Sequence, residues 1–250
     1  MSEIIIITGA SSGIGAATAR ILGAQGARIV VNYHSSKALA EDVVQDVQRL
    51  GGTAIALQGD MGVEADIVRL YAETDKAFGP VTGVVNNAAV NSPALQKIAD
   101  YQFDEVMRVF GVNAAGVLIS CREAVKRMST NYGGKGGAIV NVSSIGALTG
   151  SPGRFVHYAG SKAAVDTMTL GLAAEVVREG IRINAVRPGM VDTPMHAKTG
   201  QAERVAEGAT STPLGRAGRP EEVAESIVWL LSNKASLVTG AILNVMGAQR

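Results

Sequence analysis

The sequence has one cysteine, one tryptophan and three histidines in 250 residues. Cys121 alone cannot form an internal disulfide, and no paired Cys/His spacing offers a metal tetrad, so no metal is expected. Neither sign of charge dominates: 23 basic residues face 22 acidic ones, for a net charge of +1. Without a basic stripe, neither nucleic acid nor a membrane surface is expected as a partner. No run approaches the ~18 consecutive apolar residues that a membrane span needs. The first residues also lack the basic and long apolar regions of a signal peptide, and Ile4-Ile5-Ile6-Ile7 reads as a buried strand. These absences leave a soluble, cytoplasmic protein whose partner is a small molecule.

What is present is an apolar fraction of 47% and thirty glycines, in a length that fits one α/β domain over residues 1–250. Strand-like runs recur at 3–8, 27–32, 53–58, 82–86, 137–142, 181–186 and 241–245. Most are almost continuously apolar, as strands covered on both faces are. Between them, segments such as 37–50, 65–78 and 221–231 carry apolar residues at three- and four-residue spacing. This alternation predicts a doubly wound, seven-stranded parallel sheet with helices on both faces.

The first strand runs into Thr8-Gly9-Ala10-Ser11-Ser12-Gly13-Ile14-Gly15, followed by a helical stretch. Glycines let the backbone turn tightly beside a bulky anion, and the helix N-terminus offers N–H groups to a pyrophosphate. Placed between a buried strand and a helix, the turn is a dinucleotide signal, although its G-x-x-x-G-x-G spacing differs from G-x-G-x-x-G. About 20 residues downstream, Asn32-Tyr33-His34-Ser35-Ser36-Lys37 contains no acid. An acid there accepts from a free ribose 2′-hydroxyl, whereas hydroxyls and Lys37 suit a 2′-phosphate. NADP(H) is therefore expected over NAD(H), and Ser35 and Ser36 can equally cap the following helix. Asp60, followed by Met61, ends the third strand and can cap a helix or accept from an adenine amino group. Small residues in the segment Asn86-Asn87-Ala88-Ala89 let the backbone at Asn87 and Ala88 approach a cofactor ribose, while Asn86 and Asn87 read mainly as ties between neighbouring strands and turns.

In Tyr158-Ala159-Gly160-Ser161-Lys162, a helix sets the lysine one turn from the tyrosine on the same face. An ammonium there favours the phenolate and draws the tyrosine toward a useful proton affinity. The pair can exchange a proton with a hydroxyl or carbonyl oxygen, yet Tyr and Lys at this spacing also occur on plain solvated helices.

Taken together, the glycine turn, Asp60, the Asn-Asn-Ala segment, Asn113, Ser144, Tyr158, Lys162 and Pro188-Gly189 resemble the short-chain dehydrogenase/reductase family. The likeness runs from Thr8 to about Gly247 and is nearest to the 3-oxoacyl-carrier-protein reductase and glucose 1-dehydrogenase group. It implies a single-domain Rossmann fold and hydride transfer between nicotinamide and a secondary alcohol or ketone, such as a sugar, polyol or oxo compound. It assigns Tyr158 as proton donor or acceptor, Lys162 as its modulator and ribose ligand, and Ser144 as the substrate-oxygen donor, with Ser143 its rival. Asn113 is implied to bend a helix and hold a relay water. The loop after the sixth strand, Pro188, Gly189, Val191 and Thr193, is implied to clasp the nicotinamide. Relatives are usually homotetramers, and the apolar segment 237–246 suits burial against another subunit.

Two departures stand out: Ala89 where relatives have glycine, and Met246 where they often have aspartate. Ser144 also lies fourteen residues before Tyr158, one more than in many relatives. A lid is expected over about 190–215, with His196, Lys198 and Arg204 in it. Arg154, Phe155 and His157 are expected near the pocket, with His157 turned away from Tyr158. A non-catalytic dinucleotide-binding regulator on the same fold is the alternative function; it has no need of the four-residue set.

Overall fold

The computed structural model describes residues 3–195, 203, 205–206 and 212–249. His196, Lys198 and Arg204 lie outside them. Seven parallel strands form one sheet in the order β3-β2-β1-β4-β5-β6-β7. They are β1 (Ile4–Ile7), β2 (Arg28–Tyr33), β3 (Thr53–Gln58), β4 (Gly83–Asn86), β5 (Gly137–Val142), β6 (Ile181–Pro188) and β7 (Ile242–Val245). The expected strands are all present, with ends shifted by a residue or two; β6 runs on to Pro188 because it pairs with β7 as far as Val245.

Alternation in β1 explains why a run of four isoleucines is needed. Ile5 and Ile7 face one core with α1 (Gly13–Ala24), α2 (Lys37–Arg49) and the last long helix, α8 (Pro220–Leu231). Ile6 faces the other, with α3 (Glu64–Ala77), α5 (Gly116–Met128) and α7 (Val156–Val176). A strand covered on both faces has no position for a polar side chain. Among the described residues there are also two shorter helices, α4 (Phe103–Phe110) and α6 (Gly146–Thr149).

The order of chain reverses at β1 and β4, so the loops at their carboxyl ends diverge and open a crevice there. α4 and α5 form one rod interrupted by a π-helical turn, Gly111–Ala115, in which the Gly116 amide bonds to the Gly111 carbonyl. Widened turns of this kind are frequent at functional sites.

Candidate active site

The crevice is a cavity of about 450 Å³. The glycine turn forms its floor. Gly9 and Gly13 have φ of 61° and 57°, a left-handed backbone that suits glycine. A Cβ on Gly9 would stand 2.8 Å from the Ala88 Cα, and one on Gly15 would stand 2.6 Å from the Asn87 amide nitrogen. Gly15 is therefore required by packing and does not itself line the cavity, whereas Gly9, Ser11, Ser12, Gly13 and Ile14 do. Ser12 is the N-cap of α1 and makes no side-chain cap, so the helix opens toward the cavity without a side chain over its first turn. Asn87 donates to the Thr8 and Gly9 carbonyls at 2.9 and 3.0 Å, which holds the floor in place. Asn86 donates to Asn141 at 2.8 Å, tying β4 to β5 as expected.

At the β2–β3 end, Asn32 borders the cavity but its amide is spent. It accepts from the Gly9 N–H and donates to the Leu57 and Gly59 carbonyls. His34, Ser35 and Ser36 line the cavity; Lys37 does not, and pairs instead with Glu41 at 3.6 Å. His34 was not singled out in the sequence, nor was Arg108 from α4. Arg108 Nη1 lies 2.9 Å from Asp60 Oδ2, and His34 Nε2 lies 3.5 Å from the same oxygen. Burial works against the Asp60 carboxylate, but Arg108, the Gly62 amide and His34 outweigh it and hold Asp60 below the ordinary carboxylate range. Met61 and Ala88 line the same wall, beside Ala89.

At the β5–β6 end, Ser144, Tyr158 and Lys162 share the cavity. Helix α7 carries the last two one turn apart, with Lys162 Nζ 5.7 Å from the Tyr158 ring centroid. Lys162 is only 1% exposed and donates to the Val142 carbonyl at 2.7 Å. Burial pushes its ammonium down to about 8, against the opposing pull of Asp166 one turn further on. Ser143 is buried and donates to the Lys162 carbonyl at 3.2 Å. Ser144 accepts from the Gly146 N–H at 3.0 Å, which leaves its own hydroxyl hydrogen free to donate into the cavity. The geometry thus separates two serines that the sequence left as rivals.

Asn113 sits in the π turn, fully buried and behind the cavity wall. Its side chain accepts from the Val90 N–H at 2.8 Å and donates to the Val90 carbonyl at 2.9 Å and to Ser161 at 3.1 Å. Of Arg154, Phe155 and His157, only Phe155 lines the cavity. Arg154 gives its carbonyl to Gln96, and His157 turns away as expected, with Nε2 2.7 Å from Ser92. The segment before Tyr158 is a sharply turned loop, where Gly150, Ser151 and Gly153 all have positive φ. Pro188, Gly189, Val191 and Thr193 close the cavity over this end.

A glycine-rich cradle at a helix N-terminus beside small residues fits a dinucleotide, and no group of His, Cys, Asp or Glu among the described residues could hold a metal. No helix among them is long and apolar enough to cross a membrane. The family model described as enoyl-(acyl carrier protein) reductase matches residues 9–247. The chain is 43% identical to the uncharacterised oxidoreductase YgfF of Escherichia coli, over 98% of this chain and 99% of that protein. It is 38% identical to 3beta-hydroxysteroid dehydrogenase 1 of Eggerthella lenta, over 98% and 92% of the two chains. A short-chain type dehydrogenase/reductase from Mycobacterium marinum superposes with a TM-score of 0.91 at 30% identity, covering 98% of this chain and 94% of the other. The fold, the cradle and these relatives agree: the chain belongs to the short-chain dehydrogenase/reductase family and is an oxidoreductase that works with a nicotinamide dinucleotide.

Proposed function

We propose that the protein interconverts a secondary alcohol and a ketone, with Tyr158 as general acid and base. The observation that carries this reading is that Tyr158, Ser144 and Lys162 border the same cavity as the glycine cradle. A nicotinamide dinucleotide held in the glycine cradle would supply or accept the hydride. Ser144 and Tyr158 donate to the substrate oxygen, and Tyr158 moves the proton that accompanies the change in oxidation state. The Lys162 ammonium favours the phenolate of Tyr158 at the moment it forms, and Lys162 would also hold the ribose beside the nicotinamide. Asn113 spends its side chain on Val90, so its role is to fix the wall behind Lys162. A screen of sugars, polyols and ketones with both dinucleotides tests the reading. Turnover of at least one by the wild type, lost in Tyr158→Phe, is expected; binding without turnover of any would favour a regulator.

NADP(H) is the preferred form on this reading. His34, Ser35 and Ser36 line the cavity with no acid among them, and Asp60, the carboxylate that borders it, is already paired with Arg108. Calorimetric titration with both dinucleotides decides it; tighter binding of NAD(H) would overturn the preference.

A homotetramer is the proposed assembly. β7 is a sheet edge that carries the exposed Leu243, and Leu237, ahead of it in the chain, is 96% exposed. α4 presents Phe103, 76% exposed, and Met107 on a second face. Uncovered apolar edges are a pairing hazard that closed dihedral assembly removes. A light-scattering mass near one 25.7 kDa chain would defeat it.

A further inference from the structure

Beyond Val245 the chain turns back over the site. Gly247 has φ of 56° and Ala248 has φ of 61°. A left-handed alanine is uncommon and persists where its surroundings over-determine it, often at functional sites. Here the two left-handed residues close a turn in which the Gln249 N–H donates to the Met246 carbonyl at 3.0 Å. The turn delivers the Gln249 side chain to the cavity wall, where its Oε1 accepts from the Met190 N–H at 3.0 Å.

Met190 lies in the middle of the loop that covers the β5–β6 end. The neighbouring amides of Gly189 and Asp192 bond to backbone carbonyls, of Val245 and Gly218. The Met190 amide instead depends on a side chain from outside the sheet. The approach is close on both sides. A Cβ on Gly189 would stand 2.8 Å from the Gln249 Oε1 and 2.8 Å from the Met246 Cβ, and one on Gly247 would stand 2.9 Å from the Leu214 Cβ. The segment 246–249 is thereby wedged between the cavity loop and the chain at Leu214.

We propose that Gln249 is a positioning residue for dinucleotide binding: its amide oxygen clasps the Met190 N–H and keeps the Gly189–Val191 loop in the shape that receives the nicotinamide end. This rests on the reading of that loop as the nicotinamide clasp. With the clasp present, the loop is ordered before the ligand arrives. Without it, binding must order the loop and affinity falls by that amount.

Gln249→Leu removes the acceptor at similar volume, and Gln249→Glu keeps an oxygen in reach. Losing one such bond is expected to raise the dissociation constant of the preferred dinucleotide about 3- to 10-fold. The turnover number at saturation should change less than about twofold, because no group at the reacting atoms is altered. Gln249→Glu should restore most of the affinity. Hydrogen exchange of the peptide spanning Met190 should be faster in Gln249→Leu than in wild type, and near wild type in Gln249→Glu. Circular dichroism confirms that both variants are folded. Equal affinity and equal exchange in wild type and Gln249→Leu would overturn the role of Gln249 alone. A wild type that binds neither dinucleotide would overturn the cofactor reading, and this inference with it.

Discussion

At the β2–β3 end of the cavity, Asp60, Arg108 and His34 meet at a rim where the arginine is 43% and the histidine 62% exposed. At the β5–β6 end, Lys162 and Asn113 are at most 1% exposed, and both hydrogen-bond to backbone or buried side chains. Exposed pairs are worth about 0–1 kcal/mol and can be rearranged at little cost. Buried polar groups must keep every partner or lose a few kcal/mol. The rim is therefore the part of the site where selectivity can change without unfolding the protein. The buried end, where the chemistry is proposed to take place, tolerates far less change.

The largest expected effect lies at the buried end. Tyr158→Phe removes the phenolic proton and keeps the ring, so turnover should fall by about 10²–10⁴-fold while dinucleotide affinity stays near wild type. Steady-state kinetics and a binding titration separate the two, and full turnover in the variant would sink the mechanism.

Next comes the pair of serines. Ser144→Ala removes a donor aimed into the cavity and should cost about 10²-fold in turnover. Ser143→Ala removes a bond to the Lys162 carbonyl and should show mainly as lower stability. A larger loss of turnover from Ser143 than from Ser144 would reverse the assignment.

The buried lysine makes a third prediction, in pH. Its affinity for protons is lowered in the fold to about 8, while an unfolded lysine titrates near ~10.4. Between those values the unfolded chain holds more protons, so stability should rise with pH across that window, by up to the order of 3 kcal/mol. Below the folded value the penalty of the buried cation is constant and complete. In Lys162→Met the rise should vanish, and urea unfolding at pH 7.5 and pH 10 measures it. Parallel curves for variant and wild type would contradict the burial argument.

The smallest effect belongs to the rim. Ser35→Asp places a carboxylate where a 2′-phosphate is proposed to lie, and should shift preference toward NAD(H) by roughly tenfold, about 1.4 kcal/mol. Asn32 is the wrong position for this change. An aspartate there would face the Leu57 and Gly59 carbonyls with no donor to offer, and would be expected to destabilise the junction of β1, β2 and β3. An unchanged ratio of affinities in Ser35→Asp would show that the 2′-position lies elsewhere.

The same division governs what could be read from the sequence. Ile4–Ile7 and its fellow strands are legible because burial on two faces excludes polar residues from a whole run. The cradle and the Tyr158–Lys162 spacing are legible because turn geometry and helix pitch are local. Arg108 and Gln249 were not, since each reaches the cavity across a long stretch of chain that no local pattern reveals. Lys37 was expected at the cavity from its place in the window, but the helix that starts there turns it toward Glu41. The likeness pointed to Ser144 with Ser143 as its rival, and what tells the two apart in the fold is a hydrogen-bond partner that no sequence pattern shows, Lys162 for Ser143 and Gly146 for Ser144.

Gly116 begins α5 just past the π turn, and a Cβ on it would collide with the Met61 carbonyl. Met61 belongs to the rim end and the π turn to the buried end, so at this point the two regions meet backbone against backbone. Any side chain at Gly116 would force the loop after β3 and the π turn apart, so the two ends of the cavity share one seam that only glycine fits.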